Sequence, residues 1–238
     1  MDAIELAARY SFIPNRLKYC GPEDADKVFF DYIITKKNKE RVKELLHDFK
    51  ALRLYLELIA KNNNKQPFDK EVVEAYWIGN SLLDNVNNQE IRSLILNEFT
   101  KQGLPKTTAQ ELADNTPVGI TPHHSFHVLH VNFITKKVDP HITNLDKCRI
   151  SWGIVKKVED THLLIEYKPV ISADGKTVLG KPKEKRVNYL KEFFDSIKEG
   201  DAVSVHWDLA IEKLNNERLA NIERYTLKNI GVMNDPTP

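Results

Sequence analysis

The sequence predicts an α+β protein: an N-terminal all-α helical domain, then a small β-barrel with a C-terminal helix. Three observations carry that expectation. Apolar residues recur every three or four positions from Val42 through Ile59, the mark of a helix with one buried face. Beyond Cys148 the pattern changes to short apolar runs such as Ile150 to Val158 and Leu163 to Tyr167, which read as strands between turns. Pro117-Val118-Gly119-Ile120-Thr121-Pro122 separates the two regimes. The expected divisions are 1–117 for the helical domain, 118–146 for a histidine-rich strand and linker, and 147–232 for the barrel.

Taken in order, Asp2-Ala3-Ile4-Glu5 has the spacing of a capping box. The helix it opens is predicted to end near Phe12, because Pro14 disfavours helical geometry at Ile13. Pro22, Glu23 and Asp24 suit the first turn of a second helix. Lys39 to Lys61 gives the strongest helical pattern, closed by Asn62-Asn63-Asn64. Pro67 and Asp69 set up a fourth helix, whose apolar face is Val72, Val73, Tyr76, Trp77 and Leu83. A fifth runs from Gln89 to Gln102, with Gly103 as its stop. Thr108-Ala109-Gln110-Glu111 is a second capping box, opening a short helix that Pro117 ends.

In 238 residues, 35 Lys and Arg face 34 Asp and Glu. That balance gives no electrostatic footprint for nucleic acid or an anionic membrane. The apolar runs fall short of a spanning helix, and Met1-Asp2-Ala3-Ile4-Glu5 is acidic where a signal peptide is basic. The expectation is a soluble, cytoplasmic protein. Two cysteines form no disulfide framework, which leaves reduced thiols for metal or redox work.

His123-His124-Ser125-Phe126-His127-Val128-Leu129-His130 holds four of the eight histidines. The β-branched and aromatic residues that follow predict a strand from Ser125 to Thr135. On a strand, His124 and His130 share one face and His123 and His127 the other; on a helix, His123, His127 and His130 would align. Either geometry offers two nitrogen ligands for zinc or iron. The spacing matches no standard zinc motif. Cys20, beside a predicted helix N-terminus, is expected to have a lowered thiol pKa; the alternative is a small buried apolar residue. Cys148, at the start of a predicted strand, and His206, ending Gly200-Asp201-Ala202-Val203-Ser204-Val205-His206, form a candidate thiolate–imidazole pair. Read structurally instead, Cys148 fills the barrel and His206 is a hydrogen-bonded core histidine. Trp152 and Trp207 adjoin the pair and could shield it from water.

The C-terminal part continues with a polar hairpin over Ile171 to Arg186, turning at Asp174-Gly175. A tight turn at Glu199-Gly200-Asp201 leads into Val203 to Trp207, and a final helix is predicted from Leu209 to Tyr225. From Cys148 to Ile230 this region resembles the HypC-type NiFe-hydrogenase maturation chaperones. That family opens on Cys-x-x-x-Pro-Gly-x-Val, and Cys148-Arg149-Ile150-Ser151-Trp152-Gly153-Ile154-Val155 keeps the Cys, Gly and Val positions. Its later segment, Lys-x-Gly-Asp-x-Val-x-Val-His followed by Ala-Ile-x-x-Leu, is matched by Lys198 to His206 and by Ala210 to Leu214. Here the cysteine is internal instead of N-terminal, and Trp152 stands for the family's Pro.

The resemblance implies that Cys148 and His206 help to carry iron bearing cyanide and carbon monoxide. It implies as partners HypD-like assembly proteins or a hydrogenase large-subunit precursor, with no nucleic acid and no membrane. The competing expectation is a metalloenzyme with its own Cys/His iron or zinc centre, built with Cys20, His123, His124 or His127 and acting in diatomic-ligand synthesis. An oligonucleotide-binding barrel ranks last, for want of a basic, aromatic strand face.

Overall fold

The computed structural model describes residues 1–132 and 137–235. Helix α1 (Ala3–Arg16) begins as expected, with the Asp2 carboxylate accepting the Glu5 N–H at 2.9 Å. It does not stop near Phe12 but runs through Pro14 to Arg16. A proline inside a helix strips the carbonyl four residues earlier of its usual donor. Here that carbonyl belongs to Tyr10, and it accepts from His206 Nδ1 at 2.8 Å. The expected local defect is repaired from the far end of the sequence.

Helix α2 (Ala25–Thr35) packs on α1. The expected single helix from Lys39 to Lys61 is two, α3 (Lys39–His47) and α4 (Lys50–Asn62). They break at Phe49, whose backbone is extended (φ −75°, ψ 92°) and whose ring lies against Gly21. A Cβ at Gly21 would sit 2.2 Å from that ring, and its φ of +84° also favours glycine. Tertiary packing of one aromatic ring thus overrides a helical pattern. Helix α5 (Lys70–Trp77) ends before Leu83, which lies in a 3-10 turn over Ser81–Asn85. Helix α6 (Asn88–Ser93) continues into a π-helical turn over Leu94–Phe99. Helix α7 (Lys106–Asp114) starts ahead of the Thr108 capping box, with Pro105 as its N-cap.

The histidine segment is helical, not a strand. Helix α8 (His124–Phe126) continues as a π-helical turn over His127–Val131. The His123 side chain caps it, Nδ1 accepting the Ser125 N–H at 3.3 Å. Burial of Phe126, Val128 and Val131 holds the turn against the β propensity of its residues. Phe133 to Thr135, the end of the expected strand, lie outside the described residues. The expected linker holds helix α9 (Ile142–Cys148). Cys148 therefore closes a helix, and the first strand starts at Ser151. Buried Asp146 ties α9 down, accepting from Arg149 at 3.1 Å, Tyr167 at 3.1 Å and the Val170 N–H at 2.7 Å.

Strands β1 (Ser151–Val158), β2 (His162–Tyr167), β5 (Lys183–Asn188), β6 (Ala202–His206) and β7 (Leu209–Leu214) form a mixed five-stranded sheet. Its order is β1-β2-β5-β7-β6, and β6 pairs back onto β1 to close it. Strands β3 (Val170–Ala173) and β4 (Lys176–Leu179) make the separate expected hairpin, turning through Asp174 (φ 52°) and Gly175 (φ 75°). The predicted helix from Leu209 is corrected: those residues are β7. Trp207 and Asp208 (φ 48° and 60°) make a two-residue turn that sends the chain back along β6. Helix α10 starts only at Asn216, capped by Asn215, and ends at Asn234.

Val155, Leu163, Ile165, Val187, Val203 and Val205 are among the apolar residues clustered within the closed sheet. The alternate residues of β6, Ser204 and His206, turn outward to α1. The larger apolar cluster runs from the helices into Ile150, Phe193, Leu209, Ile211 and Leu214, so the helices and part of the sheet region share this core beside the one inside the sheet. Among the described residues, no helix is long and apolar enough to cross a membrane.

Candidate metal centre

The ends of three elements meet where α1 crosses the outside of the sheet. His124 opens α8, Cys148 closes α9, and His206 closes β6 just before the β6–β7 turn. The Trp207 N–H donates to the Lys147 carbonyl at 2.7 Å, and Lys147 Nζ reaches Asp208 at 3.1 Å. These two bonds fasten the end of α9 to the turn and set Cys148 beside His206. One ligand atom from each of His124, Cys148 and His206 lies within 4.8 Å of the other two, and all three residues are buried. Such a group could hold a metal ion.

The hydrogen bonds define which ring nitrogens carry protons. The Tyr10 carbonyl can only accept, so His206 bears its proton on Nδ1. Its Nε2 is buried with no hydrogen-bond partner. The Cys148 carbonyl likewise fixes the proton of His124 on Nε2, at 3.0 Å, leaving Nδ1 to accept from the Tyr76 hydroxyl at 3.0 Å. Each ring is thus oriented by a backbone carbonyl, the arrangement that metal-bound histidines commonly show. The Cys148 carbonyl also lies close enough to His206 to favour its charged form, but it closes its hydrogen bond on His124. Trp77 packs against both rings, 4.7 Å from His124 and 5.9 Å from His206 by centroids, and is stacked on Tyr10 at 5.1 Å.

Burial keeps the group uncharged. It lowers His206 to about 4, against the opposing pull of the Tyr10 and Cys148 carbonyls. It lowers His124 well below the ordinary range, helped by the nearby histidines His206, His127 and His123. It raises the Cys148 thiol well above its usual value; Cys20 nearby adds to this, and a hydrogen bond from Trp207 opposes it. A divalent cation would exchange the thiol proton for a bond to sulfur, take the free Nε2 of His206, and displace the Tyr76 hydroxyl from His124 Nδ1, with both imidazoles already neutral. One soft sulfur and two nitrogens make a donor set for a transition-metal ion.

The group lies at the buried end of a cavity of about 600 Å³. Phe49, Tyr76, Trp77, Phe99 and Trp207 contribute aromatic wall, and exposed Asp48, Lys50 and Lys137 stand at its outer end. Cys20 and His127 line the same cavity without belonging to the three-residue group. Cys20 is half-buried, and its thiol is pushed up to about 12 by burial, against a small opposing pull from Lys137. That corrects the expected lowering: loss of water outweighs proximity to α2. Its loop is held by Asn15, whose amide donates to the carbonyls of Cys20 (2.9 Å) and Pro22 (2.7 Å). His127 Nδ1 is 3.3 Å from the Tyr55 hydroxyl, and burial lowers the ring to about 4.

His123 is not on the cavity wall. Its Nδ1 meets Ser125 Oγ at 2.8 Å and its ring faces Tyr225 at 6.4 Å, so it braces α8 against α10. His130 is bonded to the Leu112 carbonyl at 3.0 Å and to Thr116 at 3.2 Å. The residue pattern alone does not single out Tyr10. Its signal there is Pro14, inside a window otherwise able to be helical.

Residues 2–237 match the Family of unknown function (DUF6390), and the chain belongs to that family. No curated protein and no solved structure matches the chain.

Proposed function

We propose that this DUF6390 chain is a metal-binding accessory protein of NiFe-hydrogenase assembly, holding iron through His124, Cys148 and His206. The observation that carries the reading is the meeting of Cys148 and His206. The HypC resemblance pairs them in sequence, and their ligand atoms lie within 4.8 Å in space with His124 as a third. Gly153, kept in the same motif, also supports it: a Cβ there would stand 2.9 Å from the Glu166 carbonyl on β2. On this reading the closed sheet is a HypC-like, OB-like barrel, and the helical part docks HypD-like proteins or the large-subunit precursor. Cyanide and carbon monoxide would complete the iron's coordination from the cavity side.

The test is anaerobic co-production with the hydrogenase assembly machinery, followed by infrared spectroscopy of the purified chain. Cyanide and carbonyl bands are expected, and they disappear in Cys148→Ala and His206→Ala. Bands unchanged in both variants defeat the ligand assignment.

A metalloenzyme is the second reading, favoured by the cavity of about 600 Å³ beside the three ligands. Catalytic metal sites keep an open position next to such a space. Mixing the iron-loaded chain with metal-free large-subunit precursor separates the two. A carrier passes its iron on, whereas an enzyme keeps it and exchanges only what sits in the cavity.

A further inference from the structure

The cavity beside the three ligands has an occupant that charge and size both constrain. Among the described residues, the group of ligand atoms is one thiol and two imidazoles. Tetrahedral coordination therefore leaves one position to a ligand from outside the chain. A divalent ion with one thiolate and two neutral imidazoles carries one net positive charge. Cys148, His206 and His124 are no more than 9% exposed, and an uncompensated buried charge is costly. A monoanionic fourth ligand removes it.

Size sets the rest of the ligand. A diatomic or a water, at about 30 Å³, leaves most of a space of about 600 Å³ unfilled. The wall is largely aromatic and aliphatic, with Phe49, Leu52, Tyr76 and Phe99 among its residues. At that outer end two lysines, Lys50 and Lys137, outnumber one carboxylate, Asp48. Entry of an anion is favoured over entry of a cation.

We propose that the metal at His124, Cys148 and His206 binds an organic monoanion whose donor takes the open position and whose apolar body, a ring or larger, lies along the aromatic wall of the cavity. This rests on the part of the reading above that places a divalent metal on these three residues, replaces cyanide and carbon monoxide as the occupants of the cavity side, and names the ligand class of the same site.

The test uses the full chain loaded with cobalt(II), whose visible bands report coordination. Sodium acetate, butyrate and benzoate present the same donor on increasing apolar area. Affinity is expected to rise along the series, with benzoate half-saturating at a concentration about tenfold or more below acetate. In Ala51→Phe, which places a ring on the half-buried cavity wall, the cobalt spectrum is retained and the benzoate advantage disappears. Equal affinities for the three carboxylates on cobalt-loaded protein overturn this inference and leave the metal reading standing. A benzoate advantage that persists in Ala51→Phe overturns the placement in the cavity. Failure of cobalt to bind overturns both.

Discussion

His206 donates its Nδ1 proton to the Tyr10 carbonyl across 2.8 Å, and Pro14 is the reason that carbonyl is available. An ordinary residue at position 14 would offer its own N–H to Tyr10. Pro14→Ala supplies that competitor and loosens the bond that orients His206. Metal affinity is expected to fall about tenfold, with thermal stability unchanged or raised because a helix-interior proline is gone. Calorimetric metal titration beside a melting curve checks this. Undiminished affinity would show that Pro14 has no part in positioning His206.

Metal affinity should rise with pH by about tenfold per unit between about pH 6 and 8. The sign follows from the thiol, raised well above its usual value, which must lose its proton to bind. The slope is one proton because both histidines are already neutral, His206 lowered to about 4 and His124 held well below its ordinary range by burial. Competition with a chelator across that range measures it. A slope of two or three protons contradicts the neutral-imidazole arrangement.

Acid should unfold the metal-free chain early. His123, His127 and His206 sit at about 3, 4 and 4 in the fold against an unfolded value near 6.5. The unfolded state therefore takes up protons first, and stability is lost as pH falls below about 6.5. Each of the three costs about 2 kcal/mol at about pH 5, together a large share of an ordinary domain's stability. Chemical denaturation at pH 7 and pH 5 tests it; equal stability at the two would remove the premise of neutral burial.

Arg218 of α10 clamps the helical part to the sheet, reaching Glu212 of β7 at 2.6 Å and Glu74 of α5 at 3.0 Å. Glu212 is buried and its carboxyl is raised by desolvation despite Arg218. Arg218→Met is expected to cost about 3–5 kcal/mol near neutral pH. With the carboxyl raised further above its unfolded value, the loss relative to wild type grows as pH rises and shrinks toward acid. A pH-independent difference below about 1 kcal/mol would assign Arg218 a surface role only.

Much of this fold can be read in the residues themselves. The Asp2 cap, the Asp174-Gly175 hairpin and strands β1, β2 and β6 follow from local spacing and turn chemistry. Three of the failures share one cause, contacts distant in sequence. Phe49 leaves the helical path to cover Gly21, and Pro14 stays helical because His206 serves Tyr10. The β-rich residues around Val128 are coiled by their burial among helices. The candidate set did contain His124, Cys148 and His206, since rare thiols and clustered imidazoles stand out in composition. Which of the histidines turned inward depended on the helical phase of residues 124–131, which residue preferences alone misjudged.

X-ray absorption of the zinc-loaded chain tests the central claim most directly. The account predicts one metal per chain, with one sulfur at about 2.3 Å and nitrogens at about 2.0 Å. The sulfur shell disappears in Cys148→Ala, and the spectrum is unchanged in His123→Ala. A shell of oxygen and nitrogen alone, or the same sulfur signal in Cys148→Ala, would contradict a metal held by His124, Cys148 and His206.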